Sequence, residues 1–222
     1  MEDNFSMPLK DNIFFAKRLL VDAIYKSANL EGIAVTYAET NDILNDVNVE
    51  KVKPSDISKV FCMRDAWHFL LDHIEAPLHL GYIEEIHALI ARADVDYWEL
   101  GKIRTSPVLI SGTSWIPEIP NPELLYQELQ KILEIENVTD RALTIILWIM
   151  RTQMFRDGNK RVATMIGNKI LIEHGKGLFS VPVELDGQFK SKLVRFYETN
   201  DMTEIKNWMY DTCLIGVNIE EP

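Results

Sequence analysis

The sequence predicts a mostly α-helical domain that carries one small β-hairpin. Apolar residues make up 47% of the 222-residue chain, which is enough to form a buried core. Apolar positions recur at helical spacing through most of the sequence. One stretch, 101–120, instead places prolines and glycines around the β-prone pieces VLI and SWI. This pattern is typical of two short strands joined by a turn at Ser111–Gly112.

Start and stop signals place the helices in chain order. A first helix runs from Ile13 towards Gly32, a residue that favours a helix end. Thr36 begins a second helix, because Glu39 three residues later completes a capping box. Prolines at first-turn positions and amphipathic spacing predict the remaining helices at 54–75, 81–92, 122–136, 140–153, 161–174, 185–200 and 203–216. We therefore expect eight or more helices.

Composition narrows the classes of protein. The net charge of −11 disfavours a nonspecific grip on nucleic acid, which depends mainly on Lys and Arg. No apolar run is long enough to span a membrane, and the amino terminus lacks the apolar stretch of a signal peptide. Cys62 and Cys213 are too few for a disulfide framework or a metal cage. We expect one cytoplasmic domain over 1–222, with no nucleic-acid or membrane partner.

The segment QMFRDGNKRVAT, 153–164, concentrates groups that suit an anion. It lies between two apolar helices, and a helix N-terminus offers unpaired backbone N–H groups and a partial positive charge. Gly158 permits close backbone approach, and Asn159, Lys160 and Arg161 can donate to phosphate oxygens. Asp157 suits Mg²⁺, which binds through carboxylates and substrate phosphates. The residues indicate a Mg-nucleotide or another polyphosphate; the alternative is an ordinary capped helix with surface cations.

The stretch QMFRDGNKR resembles the Fic-family signature, which reads His, any residue, Phe, any residue, Asp or Glu, Gly, Asn, Gly or Lys, Arg. The resemblance implies a Fic-type helical bundle that uses ATP and Mg²⁺ to transfer AMP to a hydroxyl of a target protein. It implies that Asp157 holds Mg²⁺ and that Phe155 anchors the loop. The implied phosphate cradle is Gly158, Asn159, Lys160 and Arg161. The related Doc branch has Lys where Lys160 stands and transfers phosphate.

A second stretch, SANLEG, resembles the inhibitory-helix motif of the same family, with Ser27, Glu31 and Gly32 at its defining positions. The resemblance divides the chain into an inhibitory-helix region, 1–50, and a Fic core, 51–222. The hairpin expected at about 101–120 corresponds to the family's flap, which pairs with the backbone of a target protein as an added strand. The inhibitory helix can act within one chain or between two, so a homodimer is compatible with this reading.

Two positions depart from the family pattern. Gln153 stands where the family has its catalytic His, and an amide is a poor proton acceptor near neutral pH. Thr164 stands where many members have the second Arg that pairs with the inhibitory Glu. We hypothesise that Lys160 or Arg161 takes its place as the partner of Glu31. With these departures, the resemblance implies an adenylyltransferase with weakened or atypical activity. The alternatives are a Doc-like phosphotransferase and a catalytically inactive binding module.

No histidine in the loop replaces the missing base. The expected places of the five histidines are the core for His68, the surface for His73, His79 and His87, and a helix end for His174. Asp157 is a further candidate base, although metal binding would lower its basicity. Trp115, on the expected hairpin, is the aromatic residue that we expect to contact a partner.

Overall fold

The computed structural model describes residues 1–219. Within this range it contains ten α-helices and one two-stranded antiparallel sheet, which confirms the mostly helical fold class. The elements are α1 (Leu9–Arg18), α2 (Leu20–Leu30), α3 (Tyr37–Leu44), α4 (Pro54–Asp72), α5 (Leu80–Ile90), α6 (Pro122–Leu133), α7 (Val138–Thr152), α8 (Asn159–Glu173), β1 (Leu178–Phe179), α9 (Asp186–Thr199), α10 (Thr203–Thr212) and β2 (Leu214–Ile215). No helix of the described residues is long and apolar enough to cross a bilayer.

The centre of the core is the α7–α8 pair. Every residue of α7 from Ala142 to Met150 is buried, as the long uncharged run in the sequence indicates. The two helices approach closely at Gly167, where an added Cβ would lie 2.3 Å from the Ile146 side chain. This tight contact holds α7 and α8 side by side, and the loop that joins them lies at one end of the pair.

The amino-terminal helices are attached to the core by buried polar contacts. The single helix expected from Ile13 is two helices that meet at Leu19. Asn12 is fully buried, and its side-chain amide exchanges hydrogen bonds with the backbone of Gly177 at 2.8 and 3.3 Å. Asp3 accepts hydrogen bonds from the backbone and hydroxyl of Thr139 at the start of α7. The segment before α1 and α1 itself are thus held against the rest of the protein.

The expected hairpin at 101–120 does not form. This stretch, here called the flap segment, is an extended loop with a turn at Ser111–Gly112, and the sheet lies elsewhere, between Leu178–Phe179 and Leu214–Ile215. Prolines in the segment remove backbone donors, and a lone two-stranded hairpin is marginally stable in water. The turn was predicted at the right place, and the strands around it were wrong.

Candidate functional site

The α7–α8 loop, 153–158, is shaped by one buried asparagine. Asn159 begins α8, two residues earlier than expected, and is 4% exposed. Its Oδ1 accepts the Phe155 N–H at 3.0 Å, and its Nδ2 donates to the Phe155 carbonyl at 2.9 Å. Gly158, with φ of +78°, turns the chain into the helix. The predicted phosphate-cradle residue Asn159 therefore also holds the loop closed.

Gln153 occupies the position of the expected catalytic histidine, and both ends of its side chain are bonded. It ends α7 in the left-handed region, with φ of +46°. Its Nε2 donates to the Met150 carbonyl at 2.6 Å, and its Oε1 accepts from Asn159 Nδ2 at 3.2 Å. The amide is engaged in supporting the loop, and it offers no proton-accepting group to a substrate.

His87 lies directly beneath the loop, which corrects the expectation of a surface residue. It is fully buried and stacks on Phe155 with ring centroids 3.9 Å apart. Gly101 N–H donates to His87 Nδ1 at 2.9 Å, so Nε2 carries the proton and donates to the Asp157 carbonyl at 3.2 Å. Burial lowers the pKa of His87 to about 4, which keeps the ring neutral.

A signal for the burial of His87 was present in the sequence. It lies one helical turn from both Ile83 and Ile90, on the apolar face of α5. His68, expected in the core, is instead exposed, as are His73, His79 and His174.

Arg161 is buried behind the loop, with a side chain 3% exposed. Its Nη1 donates to Asp94 Oδ2 at 2.6 Å and to the Ile90 carbonyl at 3.2 Å, and Asp94 also pairs with Lys59 at 2.8 Å. Burial opposes the charged form, but the carboxylates of Glu31 and Asp94 outweigh it and raise the pKa of Arg161. The guanidinium is thus a charged part of the core, although sequence reasoning placed it in the phosphate cradle and overlooked Asp94.

Glu31 reaches the loop from the end of α2. Its carboxylate is 15% exposed and lies 3.3 Å from Lys160 Nζ and 3.6 Å from Arg161 Nε. Neither contact has hydrogen-bond geometry, and Glu31 Oε1 and Arg161 Nε are buried without hydrogen-bond partners. Thr164 and Ser27 line a separate small pocket that does not include Glu31, Lys160 or Arg161. The two cations named as substitute partners are therefore the ones nearest to Glu31.

An open cleft of about 820 Å³ lies over the loop. This volume is within the roughly 300–1,000 Å³ of small-molecule sites. Its lining comes from four places: Glu31, the flap segment at 108–112, the loop with α8, and α9. The residues from the loop, α8 and α9 are Gln153, Arg156, Asp157, Asn159, Lys160, Gly187, Lys190, Ser191, Leu193, Val194 and Tyr197. Arg161 does not line this cleft.

Asp157 is placed to hold a cation together with a ligand. Its carboxylate is 57% exposed in the cleft, and Oδ1 accepts the Gly158 N–H at 2.5 Å. The described residues contain no group of three acidic, His or Cys side chains that could hold a metal by themselves. A single exposed carboxylate fits Mg²⁺, which commonly uses one or two carboxylates and takes its other ligands from phosphates and water.

Arg104 fixes the base of the flap segment to the loop. It is 5% exposed, and its guanidinium donates to the carbonyls of Gln153, Ser106 and Glu118 at 2.6, 2.7 and 2.6 Å. Its backbone N–H also donates to the Met154 carbonyl at 3.0 Å. The carbonyls of Gln153 and Glu118 are distant from Arg104 in sequence, so local patterns gave no signal for this contact.

Trp115 fixes the far end of the flap segment. The guanidinium of Arg151 lies 4.4 Å from the centre of its ring, and Tyr197 stacks on it at 5.6 Å. The residue expected to meet a partner is therefore half-buried against α7 and α9. Between Arg104 and Trp115 the segment projects outwards, and Leu109 is 82% exposed.

Known proteins match this chain in sequence over part of its length and in fold over most of it. Residues 77–171 match the sequence model of the Fic/DOC family. No curated protein sequence matches the chain. Fic-1 from C. elegans is 20% identical with a TM-score of 0.72, over 92% of this chain and 66% of that one. A Fic domain containing signaling protein from Bacteroides thetaiotaomicron is 18% identical with a TM-score of 0.75, over 93% and 87%. A Fic family protein from Desulfovibrio desulfuricans G20 is 16% identical with a TM-score of 0.68, over 95% and 73%. These solved structures share the fold, and this chain spans about two thirds of the length of the C. elegans structure.

Proposed function

We propose, because the chain carries a Fic/DOC family domain at residues 77–171, that it binds ATP with Mg²⁺ in the cleft and transfers AMP to a hydroxyl of a target protein with weakened activity. The observation that carries this proposal is the cleft itself. It brings the carboxylate of Asp157, the N-terminus of α8 and the ammonium of Lys160 to one surface. A Mg-triphosphate needs this combination of metal ligand, backbone donors and cation.

The chemistry of the cleft supports a weakened activity. Gln153 cannot accept a proton, and no histidine lines the cleft among the described residues. Tyr197 also faces the cleft, but burial raises the pKa of its hydroxyl and makes a phenolate inaccessible near neutral pH. A positioned general base typically contributes about 10²–10⁴-fold, so we expect a loss of that order. The electrostatic and positioning parts of catalysis remain available.

A second candidate activity is transfer of a phosphate, as in the Doc branch. Lys160 lines the cleft, whereas Thr164, at the position of the missing second Arg, does not. With Lys160 in the cleft and no second Arg at position 164, the cations of this cleft are more like those that the Doc branch is expected to have than those of the AMP-transferring members.

The proposal also assigns an inhibitory role to Glu31 and a target-binding role to the flap segment. Glu31 places a carboxylate against Lys160, at the point where a bound phosphate would need that cation. We assign Glu31 the inhibitory role, with Lys160 and Arg161 as its partners. The exposed apolar residues of the flap segment, Leu109, Ile116 and Ile119, are the proposed contact for the target protein.

The test is incubation with Mg-ATP labelled at the α- or the γ-phosphate, in the presence of cell lysate as a source of targets. Wild type, Gln153→His and Gln153→His/Asp157→Ala are compared. We expect weak label from wild type, stronger label from Gln153→His, and none after removal of Asp157. Label from the α position means AMP transfer, and label from the γ position alone means phosphate transfer. No label from any variant, with ATP binding intact, would leave a binding module and refute the enzymatic part.

A further inference from the structure

We propose that Arg156 is a phosphate-binding residue of the cleft and contacts the β- and γ-phosphates of a bound nucleoside triphosphate. The inference rests on the proposed nucleotide binding. Arg156 lies in the α7–α8 loop next to Asp157, and it lines the cleft with an exposed side chain.

Three cationic side chains line the cleft: Arg156, Lys160 and Lys190. Lys160 Nζ lies 3.3 Å from Glu31, and Lys190 Nζ lies 2.7 Å from Asp186. Within residues 1–219 no carboxylate forms an ion pair with Arg156. Among the cations that line the cleft, Arg156 is therefore the one that no acid of the described residues pairs with. Its charge would contribute most to the binding energy of a polyanion.

The position of Arg156 is prepared by the contacts that hold the flap segment. Its Nη1 donates to Ser106 Oγ at 3.3 Å. The carbonyl of Ser106 accepts from the buried Arg104 at 2.7 Å, which fixes the backbone beneath that hydroxyl. One neutral hydrogen bond leaves most of the five N–H donors of the guanidinium for a ligand. The side chain thus stands at the junction of loop and flap segment, and its two-pronged fork remains available.

The charge balance of the site favours a triphosphate as the ligand. Arg161 is committed to Asp94 and lies outside the cleft, and position 164 supplies no cation. The N-terminus of α8 and the ammonium of Lys160 suit one phosphate group. A triphosphate carries more charge than these residues and one Mg²⁺ can offset, and Arg156 supplies the further positive group. The phosphates beyond the first therefore extend towards the flap segment.

The experiment measures dissociation constants of Mg-ATP, Mg-ADP and AMP by calorimetry. Wild type is compared with Arg156→Gln, Arg156→Lys and the control Arg18→Gln, an exposed arginine on α1 outside the cleft. For Arg156→Gln we expect about tenfold weaker binding of Mg-ATP and less than about twofold change for AMP. Arg156→Lys should restore part of the ATP affinity, and Arg18→Gln should match wild type. An unchanged melting temperature verifies that the variants are folded.

Each other outcome overturns the inference in a recognisable way. If wild type binds ATP and Arg156→Gln binds it equally well, Arg156 is not a phosphate ligand, although the proposed function stands. If ATP and AMP lose affinity equally, the residue acts on the loop and not on the distal phosphates. If nucleotide affinities are unchanged but labelling of targets falls, Arg156 contacts an acidic group of the target protein. If wild type binds no nucleotide, the proposed function and this inference fail together.

Discussion

Replacing Glu31 by Gln should tighten the binding of Mg-ATP. The substitution keeps the size of the side chain and removes its charge. In the structure that carboxylate faces Lys160 at 3.3 Å, in the cleft where we propose that phosphate binds. A phosphate that accepts a hydrogen bond from Lys160 would lie close to Glu31, and the two negative charges would repel each other.

The distances set the size of this effect. If a phosphate charge lies about 6 Å from the Glu31 carboxylate, Coulomb's law at an effective dielectric constant of about 20 gives about 3 kcal/mol. Solvent in the open cleft and salt reduce this by about half, which leaves about 1.5 kcal/mol, or about tenfold in the dissociation constant. Arg161 keeps its pair with Asp94 in the variant, so its buried charge is still compensated.

The assay is calorimetric titration of wild type and Glu31→Gln with Mg-ATP. The matched control is Asp22→Asn, because Asp22 is also an ion-paired acid of α2, held by Lys26 and remote from the cleft lining. We expect tighter binding in Glu31→Gln only. Equal affinities in wild type and both variants would refute the reasoning, since they would mean that the Glu31 charge does not act on the nucleotide.

Two further predictions concern the buried groups around the loop. Burial lowers the pKa of His87 from 6.5 to about 4, so the unfolded chain takes up the proton first as the pH falls. Burial of neutral His87 therefore leaves the free energy of unfolding unchanged above about pH 6.5. It lowers that free energy by about 3 kcal/mol once the pH reaches about 4. His87→Gln should flatten the acid limb of the unfolding free energy measured in urea, and an unchanged limb would contradict a neutral buried ring. Asp94→Asn should lower the unfolding free energy by about 2–4 kcal/mol, because it removes a buried partner of Arg161. The control Asp65→Asn breaks a more exposed ion pair and should cost less than about 1 kcal/mol; similar losses in both variants would show that Asp94 is not needed to hold the arginine.

The sequence predicted the elements whose signals are local. The capping box of Thr36 and Glu39 forms as expected. The loop between α7 and α8 lies where its residues indicated. Helix caps depend on contacts over three or four residues, so one stretch of sequence contains all the information needed to place them.

The contacts that the sequence could not predict are long-range. Arg104 binds carbonyls 14 and 49 residues away, and Asp94 meets Arg161 across 67 residues. The flap segment has strand-like residues, yet it is held by Arg104 and Trp115 and not by a ladder of backbone bonds. Whether such a segment becomes a hairpin depends on packing partners that periodicity does not reveal.

The hydrogen bonds of Asn159 to the backbone of Phe155 close the loop through main-chain partners, and the side chain at position 153 adds one further bond to the same amide. The shape of the site and the identity of its reactive group are therefore separable properties. Histidine and glutamine codons differ only in their third base, so a single nucleotide exchange can interconvert the two residues at position 153. An exchange at this position would change the functional group that faces the cleft, while the bonds between Asn159 and Phe155 stay in place.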